Sequence, residues 1–166
     1  MTEIDRIAEE VARRLVERGE TVAVAESAAG GLISAALLGV AGASAYFKGG
    51  VVVYTGEGKQ RLAGMTLAQL ESHRSATEPH TALLARSIRE RLGAHWGIAE
   101  TGAAGPTGNR YGDPAGHAAL AVSGPVEQTR VLETGQRERR QNMERFAVAA
   151  LSLLRDALDN CEPLRQ

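Results

Sequence analysis

The stretch "TVAVAESAAGGLISAALL", Thr21 to Leu38, restricts the fold more than any other part of the chain. The apolar run "TVAVA" is too short for a helix and suits a buried strand. It breaks at Ser27 and the pair Gly30-Gly31, and a run rich in alanine and leucine follows, read as a helix over Gly30 to Leu38. A buried strand that turns sharply into a helix is the building unit of layered α/β proteins. It leaves the turn beyond the strand's carboxyl end open to a ligand.

Further along, the same alternation continues. Ile4, Ile7, Ala8, Val11, Leu15 and Val16 recur at helical spacing over residues 4–18, and Gly19 ends them. "VVVYT", Val51 to Thr55, is predicted as a second strand because β-branched residues run together. A helical patch follows over Glu57–Ala63. Thr77 caps another helix, with Pro79 in its first turn and Gly93 as terminator. "HWGIAE" reads as a short strand, and "TGAAGPTGNRYGDPAG" as an ordered glycine- and proline-rich loop. "HAALAVSG" and "EQTRVLETG" read as two strands joined by a turn at "SGPVE". Residues 138–158 form a long amphipathic helix.

No repeat or long polar linker divides the chain. The expectation is one α/β domain over residues 1–160, layered α/β/α around a mixed sheet. That sheet is mostly parallel, with an antiparallel hairpin late in the chain. Residues 161–166 are expected to fray.

Charge narrows the function. The 19 Lys and Arg nearly balance 20 Asp and Glu, which argues against a nucleic-acid or anionic-membrane binder and leaves room for one small anion at a local site. No run approaches the roughly 20 apolar residues of a membrane span. The N-terminus lacks a signal-peptide core. The single cysteine, Cys161, cannot form an internal disulfide, which points to a reducing cytoplasm.

Ser27 has two readings: a cap in the strand–helix turn, or a nucleophile. As a nucleophile it needs a base, and N–H donors for a developing oxyanion; the "AAGG" turn can supply the donors. Lys59, just past the second strand, is the candidate base, because a buried lysine loses its proton more easily. Tyr54 stands at the end of that strand. Of the histidines, only His117, beside the glycine loop, is kept as an alternative. The Thr101–Gly108 loop is phosphate-friendly, yet it lacks both the Lys-Ser/Thr of a Walker loop and the dinucleotide fingerprint. Arg137, Arg139 and Arg140 open the last helix, as a solvated face or as phosphate ligands. The acidic residues show no metal-ligand spacing.

Together these pieces resemble the C-terminal domain of competence/damage-inducible protein CinA, stand-alone versions of which are nicotinamide-mononucleotide deamidases. The pattern A-E-S-C-T-G-G is matched by Ala25, Glu26, Ser27, Gly30 and Gly31. Gly42, Ser44 and Phe47 match the following loop, and Tyr54, Glu57 and Lys59 match Y-x-N-E-x-K. Thr101, Gly102, Ala104, Gly105, Pro106 and Gly108 match T-G-I-A-G-P-x-G, and Gly135 and Arg137 match G-D-R. The resemblance implies a catalytic group of Ser27, Tyr54 and Lys59. It implies substrate contacts from Glu26, Gly30, Gly31, Thr101, Gly102, Ala104, Gly105, Pro106, Arg137 and Arg140. It also implies a small nucleotide substrate, no metal or organic cofactor, and a homo-oligomer. This chain departs from the pattern at Ala28 and Ala29 (for Cys-Thr), at Gly56 and Gly58, at Glu100, at Asn109 and Arg110, and at Gln136. Those changes keep open an amidase for another small amide, or a nucleotide binder that no longer turns over.

Overall fold

The computed structural model describes residues 1–164. Thr2 starts α1 (Glu3–Arg18) with a capping box: its hydroxyl accepts from Asp5 N–H, and the Asp5 carboxylate accepts from Thr2 N–H. α1 leads into β1 (Val22–Glu26), a turn, and α2 (Leu32–Leu38). A single 3-10 turn at Ala43–Ala45 precedes β2 (Phe47–Val52), followed by α3 (Gly56–Ala63), α4 (Leu67–Ser72) and α5 (Glu78–Leu92). Then come β3 (Trp96–Ala103), β4 (His117–Ser123), β5 (Gln128–Glu133) and α6 (Arg139–Asp159).

The sheet order is β2-β1-β3-β4-β5. β1 lies parallel to both β2 and β3, while β4 is antiparallel to β3 and β5. Four strands therefore run one way and β4 alone runs back, as expected of a mixed sheet with a late hairpin. Side chains alternate across it. Val22, Val24, Trp96 and Ile98 face a core shared with α1, α2 and α6. Ala23, Ala25 and Ala99 face a second core shared with α5. These are the layers of an α/β/α domain.

Several boundaries differ from the sequence expectation. β2 is Phe47–Val52 and not Val51–Thr55, because its pairing with β1 runs from Val22↔Phe47 to Glu26↔Val52. Gly50 belongs inside that strand: a Cβ there would stand 2.4 Å from Ser34 Oγ on α2. Thr55 instead caps α3, accepting from Gly58 N–H at 3.0 Å. β3 runs on to Ala103, so Thr101 and Gly102 are strand rather than loop. α2 begins at Leu32, because Gly30 and Gly31 turn the chain at φ 66° and 102°. α4 is an element the periodicity does not predict.

The tail also departs from expectation. Arg18 donates to the carbonyls of Leu158, Cys161 and Glu162, and Leu164 N–H donates to Glu20. Glu20 also accepts from Trp96 Nε1 at 2.7 Å and pairs with Arg18 at 3.0 Å. Residues 161–164 are therefore tied to the amino end of β1 and β3 and do not fray; residues 165–166 lie outside the described residues.

Candidate active site

The ends of β1, β2 and β3 bring side chains together at the carboxyl edge of the parallel strands. Ser27 follows β1, Lys59 sits in α3 after β2, and Thr101 and Gly102 end β3. They line one cleft of about 340 Å³, together with Tyr54, Ser75, Ala76, Asn109, Arg110 and Tyr111. A larger depression of about 740 Å³ lies between Ile4, Leu132 and Val148, but its two hydroxyls, Thr2 and Thr134, are spent on the α1 cap and on Asn142. Chemistry, not size, selects the Ser27 cleft.

Lys59 is only 3% exposed. Its Nζ donates to Ser75 Oγ at 2.8 Å and lies 2.9 Å from His80 Nε2. His80 Nδ1 is 3.1 Å from the His73 carbonyl. A carbonyl only accepts, so the neutral ring carries its proton on Nδ1 and presents Nε2 as an acceptor to the lysine. Burial, then the lysine charge, push His80 down to about 4. Burial likewise pulls Lys59 down from 10.5 to about 8, partly opposed by the charge of Glu100. The lysine thus has neutral hydrogen-bond partners only, and it gives up its proton near pH 8 rather than 10.5. Among the described residues no hydrogen bond joins Lys59 Nζ to Ser27 Oγ; the two groups share the cleft and not a bond.

The turn holding Ser27 is built on two buried carboxylates. Glu26 and Glu100 are register partners on β1 and β3, on the face that carries Val24 and Ile98. Glu26, expected to touch substrate, is fully buried and accepts from Ile33 N–H, Ser34 N–H and Ser34 Oγ at 2.8–3.0 Å. It closes the first turn of α2 and does not line the cleft. Glu100 Oε2 accepts from Ser27 N–H at 3.1 Å and Ala29 N–H at 2.8 Å. Ser27 N–H also reaches the Glu100 backbone carbonyl at 3.1 Å, and Gly30 N–H donates to the Ser27 carbonyl, so three N–H groups of the turn are already engaged. Glu100 Oε1 is the one buried side-chain oxygen or nitrogen without a partner among the described residues. Burial, with help from Glu26, pushes Glu100 up to about 7 despite the N–H groups around it.

Tyr54 is exposed, and its hydroxyl accepts from Arg139 at 3.2 Å rather than meeting Lys59. Arg139 also donates to the Gly105 carbonyl, and Arg137 to the Pro106 carbonyl. Gly105, at φ 106°, has no room for a side chain: a Cβ would stand 2.7 Å from the Arg137 carbonyl oxygen. Ala104 is buried and its carbonyl accepts from Asn142. Thr101 Oγ1 accepts from Ala76 N–H at 3.1 Å and meets Thr81 Oγ1 at 2.7 Å. Ala76 holds a left-handed backbone at φ 61°, fixed by that bond and by His117 Nε2 on its carbonyl. His117 is thereby a tether with Glu133 on its other nitrogen, not a base at Ser27. Arg137 borders a neighbouring depression with Pro106 and Gly108. Arg140 is exposed and reaches Glu144, leaving Arg139 as the inward-facing arginine of the run.

A sequence profile of the CinA C-terminal domain matches residues 4–158. The chain belongs to the CinA C-terminal domain family. A CinA-like protein of Anaeromyxobacter dehalogenans is 40% identical over 154 residues, covering 93% of this chain and 38% of the relative. One from Acidobacterium capsulatum is 44% identical over 144 residues, 85% of this chain and 34% of that protein. This chain thus spans well under half of such relatives. The solved competence damage-inducible protein A of Klebsiella pneumoniae superposes with a TM-score of 0.90 at 28% identity, covering 97% of this chain and 100% of that one. A competence/damage inducible protein of Agrobacterium tumefaciens gives 0.87 at 28% identity, covering 96% and 97%.

In this CinA domain, sequence reasoning missed His80 and Ser75 as site residues, and it named Arg139 only as one of three arginines that open the last helix. His80 sits one residue after Pro79 in an ordinary helix start, so only its position across from α3 marks it. The departure at Glu100 was visible, but its contact with the Ser27 turn was not.

Proposed function

We propose that this chain is a nicotinamide-nucleotide amidohydrolase, which converts the carboxamide of nicotinamide mononucleotide to the acid and ammonia. The observation that carries the reading is Lys59: a buried amine brought down to about 8, facing the same cleft as Ser27. Burying a lysine among neutral partners costs stability, and a surface position would serve a merely structural amine better.

In this reading Ser27 Oγ attacks the amide carbon while neutral Lys59 takes its proton. The ammonium so formed balances the charge on the tetrahedral oxygen, then returns the proton to the departing nitrogen. Ammonia leaves, and Lys59 activates the water that cleaves the acyl-enzyme and regenerates the Ser27 hydroxyl. His80 and Ser75 hold the amine. Tyr54, held by Arg139, walls the cleft, and Arg137 and Arg110 serve the ribose phosphate. A homo-oligomer belongs to the same reading.

One observation favours a second reading, a nucleotide binder without turnover: Glu100 occupies the Ser27 and Ala29 N–H groups that an oxyanion would use. Ammonia release from nicotinamide mononucleotide decides between them. The hydrolase requires release that disappears in Ser27→Ala and Lys59→Met. Binding without release from about pH 6 to about pH 10 leaves the binder. Undiminished turnover in Ser27→Ala removes the serine from the mechanism.

A further inference from the structure

We propose that Glu100 is a specificity residue of this site: its carboxylate stands in the N–H nest of the Ser27 turn as a resident anion, so that the position beside Ser27 accepts an uncharged carboxamide and turns away the matching carboxylate. This rests on the amidohydrolase reading and adds the group that separates substrate from product.

The geometry is specific. A carbonyl carbon bonded to Ser27 Oγ lies within a few ångströms of Ser27 N, as a matter of covalent reach (about 3 Å). Ser27 N is in turn 3.1 Å from Glu100 Oε2. Consecutive N–H groups on a turn attract an external anion. Here Ser27 and Ala29 donate to Glu100 instead, and Gly30 N–H donates to the Ser27 carbonyl. A second anion at this turn meets a like charge at close range and finds the Ser27, Ala29 and Gly30 N–H groups already bonded. An uncharged carboxamide meets no such repulsion, and a cationic pyridinium ring beside it is attracted.

Glu100 Oε1 supports the assignment. A buried carboxylate kept only to hold the turn would have both oxygens bonded, as Glu26 does. Glu100 leaves one oxygen without a partner, at full burial. A glutamine would bond the turn through its carbonyl oxygen without a charge, so what glutamate adds is the charge itself. The charged and titratable groups that act on Glu100 are Glu26 from β1 and Lys59 from α3. α6 brings the uncharged Asn142 and Met143 against Ala104 and Gly30, and the charged Arg139 against the Gly105 carbonyl and Tyr54.

The test uses Ser27→Ala as a background that binds without turnover. Calorimetry compares nicotinamide mononucleotide with nicotinate mononucleotide, two ligands that differ only at the carboxamide. At about pH 8, with Glu100 ionised, the Ser27→Ala protein is expected to favour the amide by at least about tenfold. Adding Glu100→Gln is expected to bring the two ligands within about threefold, mainly through tighter binding of the acid. An amide preference that survives Glu100→Gln overturns this proposal and leaves the amidohydrolase reading standing. Failure of both ligands to bind either protein overturns both.

Should the double variant not fold, the Ser27→Ala protein alone decides. Between about pH 5.5 and about pH 7.5 Lys59 stays mostly charged and His80 neutral, given their values of about 8 and about 4. The phosphate of both ligands titrates alike over that window and cancels in the ratio, so acid affinity is expected to fall relative to amide affinity; a flat ratio overturns the assignment.

Discussion

Replacing Lys59 by methionine should make the protein more stable at neutral pH while removing its activity. Lys59 titrates at about 8 in the folded chain, against 10.5 ordinarily. Each whole step of pKa corresponds to about 1.4 kcal/mol, so the buried ammonium costs the fold roughly 3 kcal/mol at pH 7. The sign follows from where the proton sits. Below about 8 both folded and unfolded chains hold it, and the whole cost is present. Between about 8 and 10.5 the unfolded chain keeps the proton and the folded chain releases it, so stability rises with pH. Above that range the cost is gone. Methionine keeps the aliphatic reach but strands His80 Nε2 and Ser75 Oγ, at about 1 kcal/mol each. The expected net gain is about 1 kcal/mol near pH 7, reversing near pH 10.5. Urea unfolding of both proteins at the two pH values measures it. A variant that is less stable at pH 7, or equally stabilised at both, would refute the claim that Lys59 is a strained charge.

Three further outcomes are expected. Glu100 titrates at about 7 rather than 4.5, so stability is lost as pH climbs through that interval; the gain from Glu100→Gln should grow over the same interval to at most roughly 3 kcal/mol, read by thermal or urea unfolding. His80→Phe should cut kcat by about tenfold to a hundredfold with KM little changed, since it frees the Lys59 amine without touching the binding walls. Glu26→Ala should destabilise the chain by about 2–4 kcal/mol, because three donors at the start of α2 lose a charged acceptor; a loss smaller than about 0.5 kcal/mol would contradict that role.

The layered α/β architecture was legible because its signals are local. α1, α5 and α6 advertise their periodicity, and Gly19 and Gly93 end two of them in left-handed caps, as read. β2 was misplaced because its true inner residues are Gly49 and Gly50. Small size, with Gly50 against Ser34 on α2 and Gly49 against Leu92 at the end of α5, and not β-propensity, decides that strand. The site divides the same way. Ser27, Lys59 and Thr101 are marked by their neighbours in sequence. Glu100 reaches the Ser27 turn across 73 positions, and His80 reaches Lys59 across 21, which no local pattern encodes. Glu26 shows the converse: a motif position that looked like a contact to substrate supports the turn from behind.

The bolt of Glu20, Arg18 and Trp96 has an optical consequence. Trp96 is the chain's single tryptophan, and it opens β3, whereas the cleft lies at that strand's far end. Its indole, fully buried with its N–H on Glu20, sits five strand steps from Thr101, about 16 Å at the usual rise. Intrinsic fluorescence excited at the red edge will therefore report loss of the tail and of the fold, and stay dark to whatever enters beside Ser27. Tyr54 and Tyr111, on the cleft walls, are the native chromophores that see a ligand. A titration that leaves the tryptophan signal flat speaks for the distance across the sheet, not against binding.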